Sequence, residues 1–142
     1  MRSYNIAVGG SHMAYAGRYT PGISLICGPE GTKYNITQDY IFVAHGTNDW
    51  NSNVPLGTID DNPEVYSDAT TFYGALNLAA SVFKTEYPDK EVFFVLPIWR
   101  GINGNEVGHN YTLDVYRQAI FEVAFKNNFN VIDGSEVGFP AG

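Results

Sequence analysis

From residue 40 to residue 132, three short apolar runs alternate with two segments of helical periodicity, and few folds satisfy that order. The runs Tyr40–Ala44 ("YIFVA") and Glu91–Leu96 ("EVFFVL") do not alternate apolar with polar residues. That pattern is expected of strands covered on both faces. Between them Phe72, Ala75, Leu76, Ala79, Ala80 and Phe83 recur at helical spacing, with Asp68 or Thr70 as the expected N-cap. Before the run Phe129–Ile132, a second helix is marked by Leu113, Tyr116, Ile120 and Val123. Thr112 is its expected cap, and Asp114 sits where the first turn favours a negative charge. A fourth apolar run, Tyr4–Val8, stands near the front of the sequence. Strands joined through helices make right-handed βαβ units, so the expectation is one parallel sheet of four strands. The stretch from Ser11 to Asp39 is broken by Gly17, Pro21, Gly22, Gly28, Pro29 and Gly31, so any helix in it is short. The loop Asn51–Tyr66 is long for a connection in such a sheet, and long loops are often functional.

The bulk properties narrow the chemistry. The 142 residues read as a single domain, and 44% hydrophobic against 16% charged residues argue for an ordered core. A net charge of −7 without any basic run argues against nucleic acid as a partner. No apolar stretch reaches membrane-spanning length. One Cys and three scattered His residues offer no metal set, and Gly9, Gly10 and Gly17 do not make a dinucleotide fingerprint. No cofactor is implied. The 10 tyrosines, many in polar contexts, suit a surface and core edge, or else sugar stacking or a protein interface. Localisation stays open, with an extracellular or virion-associated setting compatible with the composition.

In a parallel sheet every strand ends on the same rim, where ligands bind. "GGSH" (Gly9–His12), "HGTND" (His45–Asp49) and "PIWRG" (Pro97–Gly101) each follow a strand end, so they are expected to form one site. Acyl transfer needs donors aimed at the oxygen that becomes negative. A backbone N–H at a tight glycine turn and an uncharged Asn amide meet that need, and Gly10 and Asn48 are placed for the two roles. Ser11 with His45 is the internal nucleophile–base pair that position allows. Against it stands an ordinary role for His45 in packing at the site edge. Trp50 and Trp99 can wall a substrate groove or pack at the core edge. Asp49 reads as an acceptor of backbone N–H groups in its own turn.

With these blocks the sequence resembles the SGNH, or GDSL-like, esterase and lipase family, in its bacterial and phage branch. The resemblance rests on the glycine after a strand in "NIAVGG", the Gly-x-Asn-Asp element "GTND", and the segments "NVPLGT", "TTFYGAL", "VFFVLPIWR" and "FNVIDG". It implies a flavodoxin-like three-layer α/β/α fold with a mainly parallel sheet. It also implies metal-free hydrolysis of acyl esters or O-acetylated carbohydrates, with Gly10 and Asn48 as the oxyanion hole. The family's Gly-Asp-Ser block, with its first strand, and its Asp-x-x-His block have no counterpart in these residues. On this reading the domain, residues 1–142, is incomplete at both ends, and a longer chain or a neighbouring subunit supplies Ser and the Asp/His pair. The alternative is a non-catalytic glycan-binding or structural module, of a virion or cell surface, built on the same fold.

Overall fold

The computed structural model describes residues 3–15, 21–28, 33–98 and 108–136. Helix α1 spans Pro21–Cys27, a short helix within the glycine-rich segment. Strand β1 is Tyr40–Val43 and leads through Gly46 into the short helix α2, Thr47–Asn51. Helix α3, Phe72–Glu86, precedes strand β2, Glu91–Val95. Helix α4, Leu113–Lys126, precedes strand β3, Asn130–Ile132.

The three strands form a parallel sheet in the order β1-β2-β3, with Phe42 opposite Phe93 and Phe94 opposite Val131. The two crossovers run in the same direction, so right-handedness stacks α3 and α4 on one face. There Ile41, Val43, Val92 and Phe94 are buried together with Phe72, Leu76, Phe83, Ile120 and Val123. Each such side chain removed from water contributes roughly 1.5–3 kcal/mol before the entropy of ordering is counted. Helix α3 and helix α4 pack on each other, and α1 packs on α3.

Two expectations need correction. Tyr4–Val8 is exposed and is not a strand of the sheet. It bonds to neither edge among the described residues. Among the described residues no layer covers the second face of the sheet: Phe42 is 62% exposed, and burial alternates along β1. An unbroken apolar run thus reports residues that suit a buried strand, while the bare face shows no covering layer among the described residues.

The caps follow local chemistry. Thr71, rather than Asp68 or Thr70, caps α3, its hydroxyl accepting from the Gly74 N–H at 3.1 Å. Asp68 is instead taken up in a single 3-10 turn, Tyr66–Asp68. Thr112 holds the N-cap position of α4, and Asp114 in its first turn pairs with Arg117 at 3.5 Å.

Candidate functional site at the C-terminal rim of the sheet

A cavity of about 380 Å³ opens beyond the ends of β1 and β2. Gly9–Ser11, Ala44–Asn48 and Val95–Ile98 all contribute to its wall, so the three blocks that follow strand-like runs do meet at one rim. Gly10, Ser11, His45 and Asn48 are among the lining residues. Trp50 is not. It is 2% exposed, its indole N–H donates to the Tyr111 carbonyl at 3.0 Å, and its ring stacks on His109 with centroids 4.2 Å apart. Trp50 is therefore a core residue holding down the 109–111 segment, not a groove wall. Trp99 lies outside the described residues.

Gly10 occupies a tight turn closed by the Ser11 N–H donating to the Val8 carbonyl at 3.1 Å. Its φ of +77° lies in the region that L-residues with a Cβ avoid, which is why the turn needs glycine here. A Cβ built on Gly10 meets no atom within 4 Å, so the turn faces open space. The Gly10 N–H has no acceptor among the described residues. Gly46 makes the other sharp bend, at φ +117°, and lets the chain pass from β1 into α2 against Pro97.

A web of hydrogen bonds ties the two loops together. Asn48 donates through its side-chain amide to the Ser11 carbonyl at 3.0 Å. His45 lines the same cavity wall as Ser11. Asp49 is wholly buried, and its two carboxylate oxygens accept from the Met13 and Ala14 N–H groups at 2.9 Å each. The His12 ring bonds the Ser52 hydroxyl at 2.8 Å. Asp49 is thus an acceptor of backbone N–H groups, but those of the neighbouring loop rather than of its own turn.

The electrostatics follow from burial. Desolvation lowers the His45 pKa below the ordinary imidazole value, the Asp49 carboxylate opposes that shift, and His12 adds to it. Desolvation raises the Asp49 carboxyl, against the stabilising pull of the Ala14 and Met13 amides and of the two histidines. Burial pushes the Cys27 thiol up to about 12, which makes it a packing residue and not a nucleophile. Among the described residues no group of His, Cys, Asp and Glu is arranged to hold a metal ion.

Sequence reasoning missed the Asp49 clamp, the His12–Ser52 link and the Arg117 side chain, which reaches the Pro97 carbonyl and Asp133. Each joins residues 16 to 40 positions apart, and no local pattern announces such a pair.

Comparison with protein families gives no match, and neither does comparison with curated proteins. Solved structures do match. A protein from Lactobacillus plantarum superposes with a TM-score of 0.70 at 23% identity, over 93% of this chain and 61% of that one. A structure described as a "putative GDSL-like lipase" from Bacteroides uniformis gives 0.61 at 19% identity, over 87% of this chain and 52% of that one. A "possible lipase" from Chitinophaga pinensis gives 0.55 at 21% identity, over 70% and 43%. The chain thus spans about three-fifths or less of the length of these structures. Its parallel sheet, its helix layer and these superpositions together give it the α/β fold of GDSL-like lipase structures.

Proposed function

We propose that these residues form the oxyanion-hole half of an SGNH-type serine ester hydrolase, acting on acyl esters or O-acetylated carbohydrates. The observation that carries the reading is the cavity in which the Gly10 turn and the Asn48 amide share one wall. A serine supplied from outside these residues attacks the ester carbonyl, and the carbonyl oxygen becomes negative. The Gly10 N–H and the Asn48 amide meet that charge. An amide NH2 has two hydrogens. The Ser11 carbonyl takes one, which fixes the rotamer, and the other is left for substrate.

A second reading, a non-catalytic glycan-binding or structural module, draws on one observation. Ser11 and His45 both line the cavity, but among the described residues no hydrogen bond joins the Ser11 hydroxyl to the His45 ring. The two readings separate in a polypeptide that joins these residues to a Gly-Asp-Ser strand and an Asp-x-x-His segment. With p-nitrophenyl acetate, Asn48→Ala lowers kcat by roughly 10²–10³ and leaves KM nearly unchanged, because the bond strengthens only as charge builds. Near-wild-type kcat in a folded Asn48→Ala protein removes the oxyanion assignment. Binding of an acetylated glycan without any turnover supports the module.

A further inference from the structure

The connection from residue 51 to residue 66 is long for this kind of fold, yet none of its residues lines the cavity at the rim. It builds a second one. That cavity, again of about 380 Å³, lies between residues 59–62 and the C-terminal parts of α3 and α4. It shares no lining residue with the cavity at the rim. Its size falls within the usual range of small-molecule sites, about 300–1,000 Å³. Along α3, Asn77, Ser81 and Lys84 recur at i, i+4 and i+7, so a single face of the helix brings all three to it. Lys126 joins them from the last turn of α4.

The side chains around this cavity divide by whether their hydrogen-bonding groups are already engaged. Asn77 commits both amide hydrogens to the loop, donating to the Ile59 carbonyl at 3.0 Å and to the Asp61 carbonyl at 2.7 Å. The Asp61 carboxylate accepts from the Thr71 hydroxyl at 2.6 Å and from the Thr58 N–H at 3.2 Å. These bonds fix the loop as a wall. The remaining groups are open. Lys84 makes one long contact, 3.4 Å to the Asn127 side chain, and Lys126 another, 3.4 Å to the Ile59 carbonyl. Each ammonium has three hydrogens, so two on each are left. Neither lysine is in an ion pair among the described residues. The Asp60, Asn62 and Ser81 side chains have no hydrogen-bond partner there either. A lysine in the last turn of a helix ordinarily complements the helix dipole. That accounts for Lys84 and Lys126, but not for a loop tied down across from them.

The kind of ligand follows from the same side chains. Ile59 is the one apolar residue lining the cavity, so an apolar ligand finds little to bury against. Two lysines stand with two aspartates, so charge favours neither an anion nor a cation. No group of His, Cys, Asp and Glu among the described residues is arranged to hold a metal ion. What is left is a mixture of donors and acceptors, which suits hydroxyl groups because each is both. We propose that this cavity binds an uncharged, hydroxyl-rich ligand, a neutral saccharide. Lys84 and Lys126 donate to its oxygens, and the Asp60 carboxylate accepts from its O–H groups. Ser81 and Asn62 do both, and Ile59 meets the apolar C–H patch of the sugar ring. The inference stands apart from ester hydrolysis: with no residue in common between the two cavities, an inactive rim leaves it intact.

An NMR titration of the isotope-labelled 142-residue chain tests it. The probes are D-glucose, D-galactose, D-mannose and N-acetyl-D-glucosamine, with D-glucuronate and inorganic phosphate as charged comparators. Hydrogen bonds with little apolar burial give weak binding, with an expected Kd of roughly 1 mM. At least one neutral sugar should move the amide signals of Asn62, Ser81, Lys84 and Lys126 along one saturating curve. Those of Gly10 and Asn48 should stay in place. Lys84→Met keeps the aliphatic stem and removes the donors, and Ser81→Ala removes one hydroxyl. Both positions are exposed, and each change should weaken binding by roughly 3–10-fold. Raising NaCl tenfold should leave the affinity within about two-fold, since an uncharged ligand has no ionic attraction to screen. The proposal is overturned if no neutral sugar moves these signals at roughly 50 mM, some fifty times the expected Kd. Shifts centred on Gly10 and Asn48 overturn it too, as do two variants that fold by circular dichroism and bind like the parent. So does binding of glucuronate or phosphate alone that weakens as salt rises, which would make the cavity an anion site.

Discussion

Asp49 ties together the two loops at the rim. Its buried carboxylate satisfies two backbone N–H groups, of Met13 and Ala14, at 2.9 Å each. Removing it strands both donors away from water, and each unsatisfied group costs about 1–3 kcal/mol. Asp49→Ala is therefore expected to lower stability by roughly 2–4 kcal/mol in denaturant titration and to speed exchange of the Met13 and Ala14 amides. Ser52→Ala, at the exposed end of the His12 bond, is expected to cost no more than about 1 kcal/mol. The neighbouring His45 sets a pH dependence. Its folded-state pKa lies below 6.5, so between that value and 6.5 the unfolded chain binds more protons than the folded one. Its contribution is thus complete above 6.5 and is lost as pH falls through the folded pKa. Asp49, raised by burial above 3.8, acts with the opposite sign: the folded chain holds that proton longer, and stability drops as pH climbs from 3.8. Thermal melts between pH 7 and pH 5 should show the decline, and His45→Gln should flatten its share. An unchanged slope in His45→Gln would assign the decline to other groups.

At the level of elements, α3 owes its start to a small polar knot. Thr71 accepts from the Gly74 N–H at 3.1 Å and donates to the Asp61 carboxylate at 2.6 Å, while Asp61 also accepts from the Thr58 N–H and hydroxyl. The Thr71 hydroxyl, followed by Thr58, holds the Asp61 carboxyl below the ordinary carboxylate value. The knot joins the long 52–65 connection to the helix that floors the core. Thr71→Ala removes the cap and the Asp61 partner together, with an expected loss of about 1–2 kcal/mol. Thr71→Ser should recover most of it, since the hydroxyl is what both bonds need. Chemical denaturation of the two variants is the measurement, and equal midpoints would show that the cap contributes nothing. Element type and order were legible because they depend on local periodicity: Phe72 to Phe83 and Leu113 to Val123 recur at the helical period wherever the chain places them. The cap of α3 was not. Asp68, Thr70 and Thr71 are all competent caps by type, and the choice falls to Thr71 because Asp61, ten residues earlier, reaches its hydroxyl. Tyr4–Val8 reads as a strand for a comparable reason: its residues suit one, but pairing needs a neighbour that no pattern inside the run can announce.

At the scale of the whole molecule, the rim and the bare face belong to one question, since both carry apolar or donor groups that have no partner among the described residues. That Asn48 and Pro97 share one rim was legible from strand ends, because a parallel sheet sends every C-terminal end to one rim; that Gly10 joins them was not, since Tyr4–Val8 is not a strand of that sheet. Which side chains would face the cavity was not, and Trp50 turned inward because its indole N–H finds the Tyr111 carbonyl. If Gly10 and Asn48 serve as proposed, the separation of donors from reacting groups sets what the 142 residues do alone. Oxyanion donors and binding without a nucleophile and base leave only residual catalysis, of the order of 10³–10⁴ over water in a serine protease stripped of its triad. Among the described residues no hydrogen bond joins the His45 ring to the Ser11 hydroxyl, so Ser11 lacks the paired base that activation needs. The isolated chain is therefore expected to hydrolyse p-nitrophenyl acetate no faster than that residual level, with Ser11→Ala indistinguishable from the parent. Turnover well above it that vanishes in a folded Ser11→Ala variant would place the nucleophile inside this chain, and Gly10 and Asn48 would then serve a serine already beside them at the end of the same turn.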